Sequence, residues 1–299
     1  MRATDITILT DRRYAEPCEE SPYTRNVLLE DQLVREALEK RGIRVERCSW
    51  DDPGVAWSET GCILFRSTWD YFDRFAEFST WLERVREQTR MINPYGVIRW
   101  NLDKHYLQDL SHEGIHIPPT LFIEKGDPAT LTAWTERGGW REVILKPVVS
   151  GAARHTYRFR PGDAGEYEKM YRQLIDSESM MIQEFQEQVP SQGEISFMVF
   201  GGEFSHAVIK RAKPGDFRVQ DDFGGTVDHY EPAGEEVAFA ESVVGRCGYQ
   251  PVYARVDAIW DNEGRMALSE LELIEPELWF RFHPGAADHL AAAIEEALY

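Results

Sequence analysis

Three carboxylates near the end of the chain are spaced like ligands of a divalent cation. Asp257 lies in the β-rich segment YARVDAIW, and Glu270 and Glu272 alternate with leucines in ALSELEL. Because alternate side chains of a strand share one face, Glu270 and Glu272 should point together. Three like charges on one face repel each other, and Mg²⁺ would remove that repulsion by binding carboxylate, phosphate and water oxygens. A solvated acidic face is the alternative interpretation.

These two segments are predicted to form an antiparallel hairpin that turns at residues 261–264, DNEG. The length of the turn predicts that Asp257 lies opposite Leu268, whereas a shift by two residues makes Asp257 and Glu270 direct partners. Either register brings the acids within reach of one another, with Arg255 beside them.

Cations and small residues occur where they could bind phosphate. Lys146 ends the apolar strand VILKP, and the turn after it contains Ser150 and Gly151, whose backbone N–H groups could face an anion. Lys104 follows Asn101 on a predicted helix. Each lysine alone would also suit a protein surface, where a long side chain reaches water.

Two further segments complete a nucleotide-binding pattern. Residues 209–225, IKRAKPGDFRVQDDFGG, concentrate cations that include Lys210 and Arg218, although a basic hairpin tip is the ordinary alternative. Gln183 and Glu184 end an extended segment, where side chain and backbone could contact an adenine edge. In chain order, these features supply phosphate cations, an adenine clamp and a metal site, which are the parts of an ATP site.

The elements that must position these residues change along the chain. Strands alternate with helices over the first third, which predicts a mainly parallel sheet covered on both faces: strand 5–10, helix 25–42, strands 43–50 and 61–68, and helix 75–88. Ligands of such sheets bind beyond the C-terminal strand ends. A helix over 101–114 and the strands 140–150 and 179–187 follow, then hairpins over 194–211 and 252–275 and a final helix.

Composition limits the possible partners. The net charge of −19 argues against general nucleic-acid binding. No apolar run approaches the ~20 residues of a membrane span. The four cysteines show no CxxC spacing, which favours reduced thiols in a cytoplasmic protein over zinc or disulfides.

Together these segments resemble the ATP-grasp superfamily, over nearly the whole chain and in the order of the lobes. The resemblance implies an α/β and α+β fold with an N-terminal parallel lobe (1–98), a small central lobe (99–185) and a C-terminal antiparallel lobe with the metal site (186–299). It is carried by NLDKHYLQDLSHEGIHIPPT, VILKPVVSGAA, IQEF, GEIS, RVD and SELELIEP. It implies these nucleotide-binding residues: Lys104, Lys146, Ser150, Gly151, Gln183, Glu184, Phe185, Gln186 and Glu194.

The resemblance also implies a reaction. A substrate carboxylate is phosphorylated by ATP, and a nitrogen displaces the phosphate from the acyl phosphate. Mg²⁺, with Mn²⁺ as an alternative, would be held by the three acids, and Arg218, Arg255 and Lys210 would steady the acyl phosphate. The family usually has Glu-x-Asn where this chain has Glu-x-Glu, so the coordination need not be the same.

The segment RSTWDY follows the third predicted strand, where a sheet ligand should bind. Arg66 could hold a carboxylate in a bidentate fork and Asp70 an ammonium group, with Trp69 and Tyr71 as walls. The alternative is an Arg–Asp ion pair with aromatic residues packed between lobes.

RSTWDY and ELELIEPELW resemble a branch of small ATP-grasp proteins that includes the O-ureido-serine cyclo-ligase of D-cycloserine biosynthesis. This implies a small amino-acid-like substrate and ring closure of O-ureido-D-serine, in a monomer or homodimer. An intermolecular amino acid or peptide ligase and a non-catalytic ATP-binding regulator are the alternatives.

Overall fold

Three β-sheets follow one another in the computed structural model, which describes residues 4–17, 21–151, 153–213, 215 and 224–298. The first sheet has strand order β2-β1-β3-β4 and is parallel throughout, as predicted. Its strands and helices are β1 (Thr4–Thr10), α1 (Arg12–Ala15), α2 (Pro22–Lys40), β2 (Val45–Ser49), β3 (Thr60–Phe65), α3 (Phe75–Val85) and β4 (Arg90–Ile92).

Helix α2 begins where the sequence offers a cap and a proline. The Ser21 hydroxyl accepts a hydrogen bond from the Thr24 N–H at 2.9 Å, and Pro22 occupies the first helical position. The helix also buries two acids, Glu30 and Asp31, which are 2% and 3% exposed. Acidic residues are rarely buried without partners, so this face of α2 must meet cations.

The predicted helix over 101–114 is wrong as a single element. It is replaced by α4 (Tyr95–Asn101) and α5 (Tyr106–His112), with Lys104 in the turn between them. The Asn101 side chain is the physical reason, because it pairs with the backbone of a distant strand, donating to Leu271 O and accepting from Leu273 N, both at 2.8 Å.

The second sheet is antiparallel, with order β5-β8-β6-β7. Its elements are β5 (Thr120–Ile123), α6 (Leu131–Gly138), β6 (Val143–Pro147), β7 (Tyr157–Phe159), α7 (Ala164–Ile175) and β8 (Met180–Glu184). Helix α6 was not predicted. Its N-terminus is capped by the Thr130 hydroxyl, which accepts from Ala133 N, and it ends at Gly139 in the left-handed conformation.

The third sheet is also antiparallel, with order β11-β10-β9-β12-β13. Its elements are α8 (Val189–Gln192), β9 (Glu194–Phe200), β10 (Glu203–Arg211), β11 (Thr226–Tyr230), α9 (Gly234–Gly245), β12 (Tyr253–Trp260), β13 (Met266–Glu272) and α10 (Ala286–Leu298). Both predicted hairpins are present, whereas β11 and α9 were not predicted. Each sheet falls within one predicted lobe; the lobe boundaries themselves stay a prediction.

The first and third sheets share one hydrophobic core. Ile6 and Ile8 of β1 pack in the same buried cluster as Met198 and Phe200 of β9 and Leu290 of α10. Because this core is close-packed, side chains that project from the junction of the two sheets have fixed positions. Among the described helices, none combines the length and apolar character needed to cross a membrane.

Candidate active site

The β12–β13 hairpin places its acids opposite one another through a β-bulge. Near the turn Trp260 pairs with Met266, and beyond the bulge Asp257 pairs directly with Glu270 and Arg255 with Glu272. The predicted pairing of Asp257 with Leu268 is therefore wrong, and the shifted register holds for the acids. An extra residue in one strand offsets the pairing beyond it.

Asp257, Glu270 and Glu272 form a compact acidic cluster. One oxygen from each carboxylate lies within 4.8 Å of the others, which is close enough for all three to bind one cation. Oxygen ligands of this kind suit Mg²⁺ or Ca²⁺ more than a soft transition metal. The donor set therefore fits the predicted ion.

Protein cations surround this cluster. Arg255 pairs with Asp257 at 2.9 Å and also with Glu272. Lys104 lies 2.8 Å from Glu270, and Lys210 lies 3.1 Å from Asp257. A buried charge is destabilising unless a partner of opposite charge compensates it. The three cations therefore balance the charge of the acidic cluster.

The same contacts separate the pKa values of the acids. Burial would raise the pKa of Asp257, but Arg255 and Lys210 outweigh it and lower the pKa to about 2. Burial raises the pKa of Glu272 to about 7, opposed by Arg255 and reinforced by the charge of Glu270. Burial also acts on Glu270, but Lys104 and Lys146 leave its pKa lowered. Asp257 and Glu270 are therefore held ionised, whereas Glu272 is protonated more easily.

A cleft between the second and third sheets collects the predicted nucleotide residues. It is lined by Lys104, Lys146, Ser150, Gly151, Gln183, Glu184, Phe185, Gln186 and Glu194, together with Lys210, Arg255 and the three acids. Sequence reasoning missed other lining residues: Ile144, Ala153, Thr156, Val189, Ile259 and Ser269. Ile144 could have been found, because it stands two positions before Lys146 on β6 and so shares its face.

The small-residue turn after β6 is joined to the first predicted lysine. Lys104 donates its backbone N–H to Val148 O at 2.9 Å and its ammonium group to Ser150 O at 2.7 Å. A Cβ added at Gly151 would lie 2.6 Å from the Phe72 ring, so only glycine fits there without movement. Burial lowers the pKa of Lys146, and the charge of Glu270 opposes that effect.

The hinge after β8 is braced by the tip of the β12–β13 hairpin. The Asn262 side chain donates to Phe185 O at 3.1 Å, and the Asn262 N–H donates to the Gln186 side chain at 2.9 Å. Gln186 in turn donates to Glu184 O at 3.0 Å. This hinge forms one end of the cleft in a defined conformation.

A second cavity opens beside the cleft and shares Gly151, Lys210, Arg255 and Glu272 with it. Its remaining walls come from the first sheet region and from the segment after β13: Arg13, Tyr14, Tyr23, Trp69, Phe72, Asp73, Glu275, Glu277 and Trp279. The Trp69 ring lies 5.6 Å from Tyr14 and 6.1 Å from Tyr23, so three aromatic side chains form one wall. Lys210 and Arg255 thus line both the cleft and the second cavity.

The predicted substrate-binding residues lie in different places, and not all of them face the second cavity. Trp69 lines the second cavity, whereas Tyr71 is buried beside it in a smaller cavity and hydrogen-bonds Glu275. Burial raises the pKa of Glu275 to about 8, with the charge of Glu272 as the next cause. Asp70 accepts hydrogen bonds from Trp50 and Arg74, each at 2.7 Å, instead of facing the cavity.

Arg66 does not contact either cavity. It is 3% exposed, pairs with Glu30 at 2.9 Å and donates to Pro276 O at 3.0 Å. The predicted contact with a substrate carboxylate is corrected for that reason. The alternative, an Arg–Asp ion pair, is present, but with Asp31 of α2 at 3.9 Å and beside the closer Glu30, not within RSTWDY. Arg218 lies outside the described residues.

The cavity residues that sequence reasoning missed had little local signal. Glu275 and Glu277 lie beyond the strand, where the sequence pattern indicates no role for them, although Trp279 continues their alternate spacing. Arg13 and Tyr14 lie in the short helix α1 and Tyr23 in the first turn of α2, and no periodicity connects them with residues near 275.

Comparisons with known proteins converge on one family. The family model described as D-cycloserine synthetase DcsG, N-terminal domain, matches residues 6–93. The chain is 32% identical to the cycloserine biosynthesis protein DcsG of Streptomyces lavendulae over 278 residues, which are 88% of this chain and 92% of that protein.

Solved structures agree with the fold. The crystal structure of D-cycloserine synthetase DcsG matches with a TM-score of 0.84 at 28% identity, covering 98% of this chain and 99% of that chain. D-alanine–D-alanine ligase from Bacillus anthracis, complexed with ATP, matches with a TM-score of 0.67 at 15% identity, covering 99% and 97%. The predicted ATP-grasp fold is confirmed.

Proposed function

The chain belongs to the DcsG family of ATP-grasp ligases, and on that premise we propose that it closes the ring of O-ureido-D-serine to form D-cycloserine. Membership of this family makes the chain an ATP-dependent carboxylate–amine ligase. The proposal is that both groups belong to one molecule, and that the product serves antibiotic biosynthesis in the cytoplasm.

One observation carries the proposal: Lys210 and Arg255 line both the cleft and the second cavity. A γ-phosphoryl group in the cleft and a substrate carboxylate in the cavity would meet at these two cations. Positive charge fixed at the meeting point stabilises the charge that develops during phosphoryl transfer.

The cleft residues would take the roles expected of them. Lys104 and Lys146 would contact the phosphates, residues 183–186 at the hinge would contact adenine, and Glu194 would contact the ribose. Lys146 is half-buried on a mainly apolar strand and lines the cleft, so its ammonium group is partly desolvated.

Asp257, Glu270 and Glu272 would hold Mg²⁺, for which Mn²⁺ is a substitute with the same preference for oxygen ligands. Bound there, the ion would neutralise phosphate charge and help to orient the nucleotide. In this chain Glu272 replaces the usual asparagine, and its ion pair with Arg255 compensates the additional charge.

The substrate would react in three balanced steps. Its carboxylate oxygen bonds to the γ-phosphorus as the bond to ADP breaks, which gives an acyl phosphate. The ureido nitrogen that is bonded to oxygen then attacks the acyl carbon, loses its proton and displaces phosphate, which closes the ring. Water finally removes the carbamoyl group as CO2 and ammonia. Arg255 and Lys210, with Arg218 as a further candidate, would steady the acyl phosphate.

Release of ADP and phosphate tests the proposal. With Mg-ATP, O-ureido-D-serine alone should stimulate release and yield D-cycloserine, CO2 and ammonia in equal amounts. Turnover that requires a second amine or amino acid would contradict ring closure and favour intermolecular ligation. ATP binding without turnover on any amino acid would instead indicate a non-catalytic regulator.

A further inference from the structure

Residues 274–280, here called the strap, follow β13 and belong to none of the described strands or helices. The strap nevertheless supplies one wall of the second cavity, through Glu275, Glu277 and Trp279. Ile274, Leu278 and Phe280 are buried at 2%, 0% and 0% exposure. One set of side chains thus faces the cavity and another is held in the core.

Side chains from distant elements bind the backbone of the strap. Its carbonyl groups accept hydrogen bonds from Tyr253 to Ile274 at 2.6 Å, Trp69 to Glu275 at 2.8 Å, Arg66 to Pro276 at 3.0 Å, and Arg255 to Glu277 at 3.3 Å. A buried backbone group outside a sheet needs such partners. Two separate regions, the segment after β3 and strand β12, therefore determine where the strap lies.

Two backbone N–H groups of the strap are bound by a single carboxylate. Glu30 accepts hydrogen bonds from the N–H groups of Leu278 at 3.1 Å and Phe280 at 2.9 Å. Its side chain also pairs with Arg66 at 2.9 Å, and both side chains are 3% exposed. Glu30 thus binds N–H groups of the strap, and Arg66 binds one of its C=O groups.

The residue between the two N–H groups has an unusual backbone. Trp279 has φ +48°, in the left-handed region that a bulky L-residue rarely adopts. Such a conformation persists only where its surroundings enforce it. Its indole ring lies beneath both shared cations, 5.0 Å from the Arg255 guanidinium carbon and 5.6 Å from Lys210 Nζ.

We propose that Glu30 and Arg66 are positioning residues that fix the strap, and with it Glu275 and the Trp279 platform, in the shape that binds the organic substrate. The inference rests on the proposed function, since it concerns the second cavity of that site. Neither residue touches the cavity, so their action is through the strap. ATP binding, which uses the other side of the shared cations, should depend on them little.

A purely structural ion pair is the competing explanation. A buried pair is often no more stabilising than apolar residues of the same size, so stability alone is a weak reason for one here. A carboxylate has what an apolar residue lacks, two oxygens that can each accept an N–H of the strap. Glutamine offers only one acceptor and brings donors of its own.

Glu30→Gln is the main test, with Glu236→Gln as the matched control. Glu236 is also a buried carboxylate, 5% exposed, that accepts a backbone N–H, from Ala233 at 2.6 Å, but it lines neither cavity. We expect Glu30→Gln to raise KM for O-ureido-D-serine roughly tenfold or more, with KM for ATP changed by less than about twofold. Glu236→Gln should change neither beyond about twofold.

Hydrogen exchange gives a measurement independent of activity. Amide exchange of residues 274–280 should accelerate in Glu30→Gln and stay unchanged in Glu236→Gln. If Glu30→Gln does not fold, the double variant Glu30→Gln/Arg66→Met, which leaves no unpaired charge, is measured instead with the same expectations.

The outcomes separate the two proposals. Unchanged exchange of the strap overturns the inference, whatever the activity. Accelerated exchange with an unchanged KM for the organic substrate also overturns it, because the pair is then only structural. Wild-type protein that binds ATP but turns over no amino-acid substrate refutes the proposed function. Unaltered exchange in the variant would then still refute the inference.

Discussion

Glu275 should make the stability of the metal-free protein depend on pH, and Glu275→Gln should remove the contribution of this carboxyl group to that dependence. The carboxyl group is 9% exposed. Burial raises its pKa from 4.5 to about 8, the charge of Glu272 adds to the rise, and the hydrogen bond from Tyr71 opposes it. The folded protein therefore keeps a proton on Glu275 at a pH where the unfolded chain has released it.

The sign and size follow from linkage. Because the folded pKa is raised, the stability that the protonated carboxyl contributes is fully present below pH 4.5 and is lost as pH rises through about 8. At 1.36 kcal/mol per pKa unit, the rise corresponds to about 5 kcal/mol across the whole window. Between pH 5 and pH 7 the loss would be about 3 kcal/mol.

Urea unfolding at pH 5, 6, 7, 8 and 9 in divalent-free buffer measures this loss. The free energy of unfolding of Glu275→Gln, relative to wild type, should improve by about 3 kcal/mol from pH 5 to pH 7. Tyr71→Phe removes the opposing hydrogen bond, so in that variant the loss should extend to higher pH. Parallel pH curves for wild type and Glu275→Gln would refute the reasoning.

Three other substitutions test the site directly. Glu270→Gln should nearly abolish ADP release while circular dichroism stays unchanged, because one ligand oxygen becomes an amide; retained turnover would contradict the metal assignment. Lys146→Ala should raise KM for ATP by about ten- to a hundredfold, as expected for a lost charged hydrogen bond, whereas the exposed Lys125→Ala should not. Arg255→Met should lower the free energy of unfolding by about 3–5 kcal/mol, because its acidic partners lose their cation. Calorimetry should show that Mg²⁺ raises the Tm of this variant more than that of wild type, and an equal shift would argue against a metal at these acids.

The charge distribution explains how the site stays folded before it binds ligands. Lys104, Lys210 and Arg255 each pair with an acid of the cluster or its neighbour, and Lys210 also lies 2.5 Å from Glu194. The acids that would bind a cation and the cations that would bind phosphate thus neutralise one another. Mg-ATP would bring both charges at once, so it can replace these pairs without leaving any group unpaired.

Much of the cleft could be predicted from the sequence because its residues lie on strands. Period-2 alternation alone set Glu270 and Glu272 on one face, opposite the buried Leu271 and Leu273. The order of the lysines, the hinge and the acids then matched a family pattern. The face of the sheet to which a strand side chain points is a local property, so it can be inferred from a single segment.

Contacts between distant segments could be identified only from the tertiary structure. The bulge that pairs Asp257 with Glu270 depends on how β13 fits β12, and the turn that holds Lys104 depends on Asn101 reaching the β13 backbone. Neither is encoded in a local repeat.

The substrate side of the site shows the same limit most clearly. RSTWDY pointed to the correct strand end, and Trp69 lines the second cavity, yet Arg66 pairs inward with a helix acid. Glu30 is buried because it binds the N–H of Phe280, 250 residues further along the chain. A sequence pattern determines which residue types can pair; only the folded chain decides which groups meet, because burial and partner are set together when distant segments close on one core.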